Sequence, residues 1–216
     1  MCVLKRNLKS PAEVARWFRA DLPRSINAPA ETLIGSPGLT ITEQGGRREL
    51  RQMNWGFPGR TANMRPGAKP KPVNQAADLS RRMWAHIAPD PAHRCLIPIT
   101  DFAEPEGPAG AMTRTWFSVA GQEQFAWGGL WRTSSEWGDV YAGVTTAANE
   151  AIMPVQDRMP VLLLPDDWDR WLHGSIGDVL AFQQRTFPGA IEIERTDIPW
   201  ALRDPPPPDP QFSLGI

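Results

Sequence analysis

What most constrains this chain is the brevity of its apolar runs and the turn-formers between them. Leu39 to Thr42 and Glu49 to Trp55 flank Gln44-Gly45-Gly46, and Arg94 to Thr100 is apolar around Cys95, Leu96 and Ile97. Further short runs follow at Trp116 to Val119, Phe125 to Trp131, Val140 to Thr145 and Val161 to Leu164, with another around Ile191 and Ile193. Segments of this length between turn signals read as strands, and the paired glycines after Gln44 predict a tight hairpin. Strands outnumber helices and short turns join them, so the expected class is α+β, a single domain of mostly antiparallel sheet over residues 1–200.

Helices enter at a few places. Ser10-Pro11-Ala12-Glu13 is a helix start, with a serine cap, proline at the first helical position and a glutamate placed to close a capping box; Val14, Trp17 and Phe18 share the face that packs. Asn74 to His86 is expected to be helical, with Ala77, Leu79, Met83 and Trp84 as an imperfect apolar face, and so are Asp166 to His173 and Ile176 to Phe187. Asp21 to Gly38 reads as irregular. Residues 201–216, with four successive prolines after Asp204, read as an extended tail that cannot join a sheet.

Composition narrows the functional classes. With 216 residues, 41% hydrophobic, 22% charged and a net charge of -1, the chain can close one core but cannot be coated in nucleic acid, so any phosphate contact is local. The best local candidate is Leu50 to Ala77, which carries Arg51, Arg60, Arg65, Lys69 and Lys71 without one acidic residue; solubility alone also explains such a loop. No apolar run is long enough to span a bilayer and no secretion signal is legible, so the expected location is the cytoplasm, with no membrane partner. The two cysteines, Cys2 and Cys95, make no disulfide framework, and His86, His93 and His173 make no metal pattern with Cys95; neither metal nor cofactor is expected. Ten tryptophans against one tyrosine read first as core.

The chemistry-bearing stretch is Met1-Cys2. Removal of Met1, which the small cysteine side chain permits, leaves an α-amine and a thiol on adjacent carbons. The ordinary pKa values are about 8 and about 8.5, so a useful fraction of each is nucleophilic near neutrality. Such a pair can attack one aldehyde twice, through a Schiff base to a five-membered thiazolidine. It can also serve a hydrolase in which the thiolate attacks and the amine is the base. An incidental cysteine beneath a retained methionine is the plain alternative.

A family resemblance then appears. Met1-Cys2, Met53-Asn54-Trp55-Gly56-Phe57-Pro58, Val73-Asn74, Arg94 to Pro98 leading to Phe102-Ala103-Glu104, Gly128-Gly129-Leu130-Trp131, Thr145 to Asn149 and Asp157 to Val161 occur in an order that resembles the SOS-response-associated peptidase (SRAP) proteins. The resemblance covers residue 2 to about 172. It implies a barrel-like sheet flanked by helices, a cleft receiving single-stranded DNA, and capture of the ring-opened aldehyde of an abasic site by the N-terminal cysteine, the protein acting as a monomer. By the same resemblance the catalytic residues are Cys2, Asn74, Glu104 and the position of Gln156, and Arg158 is a phosphate ligand; Trp55, as a base-stacking ring, and the basic Arg60, Arg65 and Arg82 complete the DNA-binding candidates. Asn74 has an alternative as a helix cap, Glu104 as a surface carboxylate, Trp55 as core, and Arg158 as an anchor for a carboxylate such as Asp157 or Asp167.

Departures from the family pattern temper the chemistry. Gln156 stands where most relatives have a titratable histidine, Ala76 where they have an arginine, and Val3-Leu4 where they have Gly-Arg, which displaces the cation to Lys5 or Arg6. A non-covalent binding module for single-stranded or junction DNA on a degenerate scaffold and an N-terminal-cysteine amidohydrolase or self-processing peptidase therefore stand beside the capture reading.

Overall fold

A computed structural model describes residues 3–26, 29–59, 64–65 and 67–201. In chain order the strands are β1 (Leu4–Arg6), β2 (Ala20–Asp21), β3 (Glu31–Leu33), β4 (Pro37–Gln44), β5 (Arg47–Trp55), β6 (Phe57–Gly59), β7 (Lys71–Val73), β8 (Gln75–Ala76), β9 (Arg94–Ile99), β10 (Asp101–Glu106), β11 (Thr113–Val119), β12 (Phe125–Ser134), β13 (Gly138–Ala147), β14 (Arg158–Pro160), β15 (Leu162–Leu163) and β16 (Ile191–Pro199). The helices are α1 (Pro11–Phe18), α2 (Arg82–Ala85), α3 (Trp168–His173) and α4 (Ile176–Gln184).

The largest sheet closes on itself. Its strands run in the order β14-β13-β12-β9-β4-β5-β2, and β5 also pairs in parallel with β13 through Asn54 with Val140 and Trp55 with Tyr141. β13, β12, β9, β4 and β5 therefore form a ring, the barrel-like sheet that the resemblance implies, and closure removes the open edges that would otherwise invite pairing. The predicted hairpin is β4 and β5, turned by Gly45 at φ 57° and Gly46 at φ 76°. A second sheet, β16-β11-β10-β1-β3, is antiparallel throughout and seats β1 between β10 and β3.

Alternating side chains divide the core into two large clusters and a small third of Leu4, Ala103 and Trp116. Trp55, Cys95, Ile97, Trp127 and Tyr141 join Phe102 and Phe117 of the second sheet, while Leu50, Leu96, Leu130, Val140 and Val144 meet residues of the helices. Trp55, Trp116, Trp127 and Trp171 are fully buried, so much of the unusual indole content is structural. Gly143 makes room for one of them: a Cβ there would stand 2.0 Å from Trp127 Cε2.

The helices depart from expectation at instructive points. Ser10 and Glu13 form the capping box of α1, and Val14 and Phe18 are buried; Trp17 is not on that face, and Ala15 takes the buried position. Asn74 to His86 is not one helix. Its first part is extended, with Gln75 and Ala76 pairing with Gly143 and Val144, and only Arg82–Ala85 is α-helical. Ala76 and Leu79 are buried outside any helix, Ala76 within the parallel pairing with β13, and Trp84 is the buried residue of the short α2. The irregular segment contributes the short strands β2 and β3, and β16 runs on to Pro199. The proline run lies outside the described residues.

Candidate active site

Sheet register brings the start of the chain to one carboxyl group. In β1, Leu4 pairs with Ala103, Lys5 with Phe102 and Arg6 with Asp101, so the strand runs toward Glu104 as it is followed back to its beginning. Cys2 lies outside the described residues. Two peptide units join it to Leu4, a span of at most about 7 Å.

Glu104 is fully buried on β10 and is not the surface glutamate of the alternative reading. Burial raises its pKa above the ordinary carboxyl value; the Gln156 amide pulls the other way without prevailing, and Asp157 adds to the rise. Gln156 Nε2 donates to Glu104 Oε2 at 3.5 Å, a long bond, and Gln156 Oε1 accepts from the Asp157 amide at 3.0 Å. The residue replacing the histidine thus touches the carboxyl but has no proton to exchange with it.

Asn74 is delivered by a ribbon. β6 and β7 pair through Phe57 with Val73 and Gly59 with Lys71, and Asn74 follows directly. The ribbon folds back tightly because Gly56 adopts φ 133° and approaches Pro72, whose Cβ would stand 2.5 Å from any Cβ at position 56. Asn74 is 8% exposed, and its carbonyl accepts from the Gly143 amide at 3.0 Å and from Trp55 Nε1 at 3.2 Å. Trp55 itself is 0% exposed, parallel to Tyr141 and edge-on to Trp127. It offers no face to a base. Its work is to hold Asn74 from below, which corrects its place among the DNA-binding candidates.

The cations sort into two groups. Neither Lys5 nor Arg6 is a displaced phosphate ligand. The Lys5 ammonium is 2% exposed and lies 5.7 Å from the Trp55 ring and 5.6 Å from the Tyr141 ring, a cation–π seat. Arg6 binds Asp101 and Glu194 over the Trp116 ring. Arg158 pairs with neither Asp157 nor Asp167; its Nη2 donates to the carbonyls of Ala77 at 2.9 Å and Thr145 at 2.8 Å and to Thr145 Oγ1 at 3.0 Å. Arg65 and Arg82 are exposed, as are Lys69, Lys71 and Arg81 nearby in the chain. Arg60 lies outside the described residues.

Three placements escaped the sequence reading. Lys5 sits at a core position that no apolar pattern marks, Gln183 donates to the backbone carbonyls of Ala76 and Thr145, and Thr145 accepts there, bonds which no motif reports. Cys95 is a buried free thiol whose pKa burial pushes well up, so it is no second nucleophile. Among the described residues no three His, Cys, Asp or Glu side chains gather as a metal site, and no helix is long and apolar enough to cross a membrane.

Comparison with known proteins gives concordant results. The family model described as SOS response associated peptidase (SRAP) matches residues 1–194. A search of curated proteins returns no match. Among solved structures, a protein from Bordetella bronchiseptica superposes with a TM-score of 0.75 at 21% identity, covering 90% of this chain and 99% of its own. A protein from Bacteroides thetaiotaomicron gives 0.71 at 14% identity, with 90% and 91% covered. A phage-related protein from Bordetella bronchiseptica gives 0.66 at 18%, with 90% and 94% covered. Identities this low establish the shared fold alone.

Proposed function

Since the chain belongs to the SOS response associated peptidase (SRAP) family, which associates it with DNA and the response to DNA damage, we propose that it captures abasic sites in single-stranded DNA through Cys2. The observation that carries the reading is the β1–β10 register, which runs the start of the chain toward Glu104, a fully buried carboxyl whose pKa burial raises.

The chemistry requires few groups. After Met1 is removed, the α-amine of Cys2 adds to the aldehyde carbon of the ring-opened sugar and gives a carbinolamine. The Glu104 carboxyl protonates the hydroxyl, which leaves as water, and an iminium remains. The Cys2 sulfur then attacks the same carbon, the thiol proton returns to the Glu104 carboxylate, and the thiazolidine closes. A raised pKa suits Glu104 to this work because the group must carry a proton near neutrality. Asn74, held by Trp55 and Gly143, supplies an amide that can donate and accept toward the sugar or the cysteine. Gln156 orients Glu104 but exchanges no proton, so reversal or strand cleavage that needs a second acid–base group is slow, and capture persists. Arg60, Arg65 and Arg82 are the phosphate contacts in this reading, and the protein acts as a monomer in the cytoplasm.

A denaturing gel decides the matter. Purified protein with free Cys2 is expected to form a covalent band with an abasic oligonucleotide and none after Cys2→Ala. No band, or a band indifferent to that substitution, removes the proposal.

One observation favours a second reading. The group meeting Glu104 is the amide of Gln156, which exchanges no proton, as expected of a scaffold that binds DNA without bonding to it. Salt-sensitive binding with no covalent product selects it.

A further inference from the structure

We propose that the cleft beside Trp137, at the tip of the β12–β13 hairpin, is a stacking subsite for one nucleobase of the bound strand, a base near the abasic position. The proposal takes its ligand from the capture reading and adds a site that lies outside the capture residues.

The hairpin tip presents a ring where a turn needs none. Ser134 and Gly138 close the hairpin, with Gly138 at φ 66°, and turns ordinarily carry small polar residues. Here Trp137 stands in the turn, half-buried and packed in part on the core cluster of Phe57 and Val140. Its backbone is fixed on both sides: the amide donates to Ser134 Oγ at 3.3 Å, and the carbonyl accepts from Asn54 Nδ2 at 2.8 Å. Glu136, the acid at the tip, accepts from the hydroxyls of Ser134 and Ser135 at 3.0 Å and 3.2 Å.

Beside the indole lies a cleft of about 250 Å³, lined by Gly35, Asn54, Gly56, Pro72 and Trp137. Pockets for whole small molecules run from about 300 to 1,000 Å³, so this one suits a single planar group. An indole, a proline ring and two glycines offer flat, mostly apolar walls of the kind on which bases stack. Asn54 supplies a polar edge. One Nδ2 hydrogen is spent on Trp137 O, and Oδ1 has no partner among the described residues, which leaves a donor and an acceptor side by side for a base edge.

The surroundings select nucleic acid over an apolar ligand. Lys69 and Lys71, just before Pro72, are exposed and hold no ion pair among the described residues, so the cleft is flanked by cations that a phosphate backbone would neutralise. Asn74 follows Pro72 by two residues, a rise of about 6.6 Å in extended chain. At about 3.4 Å per nucleotide, the cleft then serves a base one or two positions from the sugar that Asn74 meets. Trp55 is buried and offers that base no face; Trp137 supplies the ring.

The test is equilibrium binding of the full-length protein to end-labelled single strands carrying a ring-closed abasic analogue without an aldehyde, so that no bond forms. Each of two neighbours on either side of the analogue is replaced in turn by a base-less spacer. Wild type should lose about fivefold or more in affinity when one particular neighbour lacks its base, the scale of one base–aromatic stack. Trp137→Ala should lose the same factor on the complete strand and nothing further on that base-less one, while Trp137→Phe keeps most of the affinity. If no neighbour matters to wild type, or if Trp137→Ala weakens every strand equally, the proposal is overturned. If Trp137→Ala does not fold, Trp137→Leu, which keeps an apolar contact with the core but has no π face, takes its place. Should wild type bind these strands yet give no covalent product with a true abasic oligonucleotide, the capture reading falls and the binding series still decides the cleft. No binding to any strand removes both.

Discussion

Glu104→Gln should make the protein more stable and less active at the same time. The substitution conserves volume and mimics the protonated acid. Glu104 is fully buried and its folded-state pKa is raised by that burial, so its charged form is the costly one. The sign follows from linkage. Below the ordinary glutamate value the carboxyl is protonated in both states and costs nothing; as pH rises toward and through the raised folded-state value, the unfolded chain gives up its proton first and wild type loses stability. Glutamine has no such window. At pH 8 the variant should therefore be the more stable protein and melt at the higher temperature, with ~2–4 °C expected for each 1 kcal/mol gained in a domain of this size. At pH 4 the two proteins should melt together. Capture should fall by about 10²–10⁴, the range for loss of a positioned general acid. Melting curves from pH 4 to pH 8 and single-turnover gels measure both. A variant no more stable than wild type at pH 8 would refute the burial argument, and one that captures at the wild-type rate would refute the assignment of Glu104.

Two stability predictions probe the frame around the site. Gly143→Ala sets a methyl group 2.0 Å from Trp127 Cε2, and the indole cannot swing away without losing its bond to Val144 O; urea unfolding should register a loss of about 1–3 kcal/mol, and an unshifted midpoint would mean the ring moves freely. Arg94→Met removes a buried guanidinium that donates to the carbonyls of Ala88, Pro89, Trp171 and Gly174, leaving them without it; a loss of about 3 kcal/mol or more is expected in the same assay.

Local chemistry was legible in the sequence wherever it was also local in space. The Ser10–Glu13 box, the Gly45-Gly46 turn and the apolar runs of β9, β12 and β13 depend on neighbours in the chain, and they form where the residues say. Asn74 to His86 failed for the complementary reason. Its apolar spacing suits a poor helix, but the partners that hold it extended, the backbone of Gly143 and Val144 and the side chain of Gln183, lie far away in sequence. The site divides the same way. Glu104 could be named from its motif, and its burial from the apolar strand beside it. The engagement of Arg158 with carbonyls, and of Lys5 with two aromatic faces, could not, because a cation reads alike in sequence whether it faces phosphate, a ring or a peptide oxygen.

The tightness with which β1 is held sets a final expectation. Leu4 and Arg6 pair with β10 on one side and β3 on the other, Arg6 is tied to Asp101 and Glu194, and Lys5 is sealed beneath Trp55 and Tyr141. The strand cannot slide by one residue without turning Lys5 out of the core and Leu4 into its place. Inserting one glycine between Cys2 and Val3 should therefore leave β1 and the melting temperature unchanged while carrying the reactive end about 3.5 Å further along the chain. Catalysis by proximity tolerates little of this, since displacement of a reacting group by about 1 Å can cost 10²-fold. Capture by the insertion variant should drop by at least about that factor, with DNA affinity retained, and restoring the original spacing should recover it. Wild-type capture by the longer chain would mean that the reactive end finds its aldehyde by free reach, and that the register between β1 and Glu104 has no part in the chemistry.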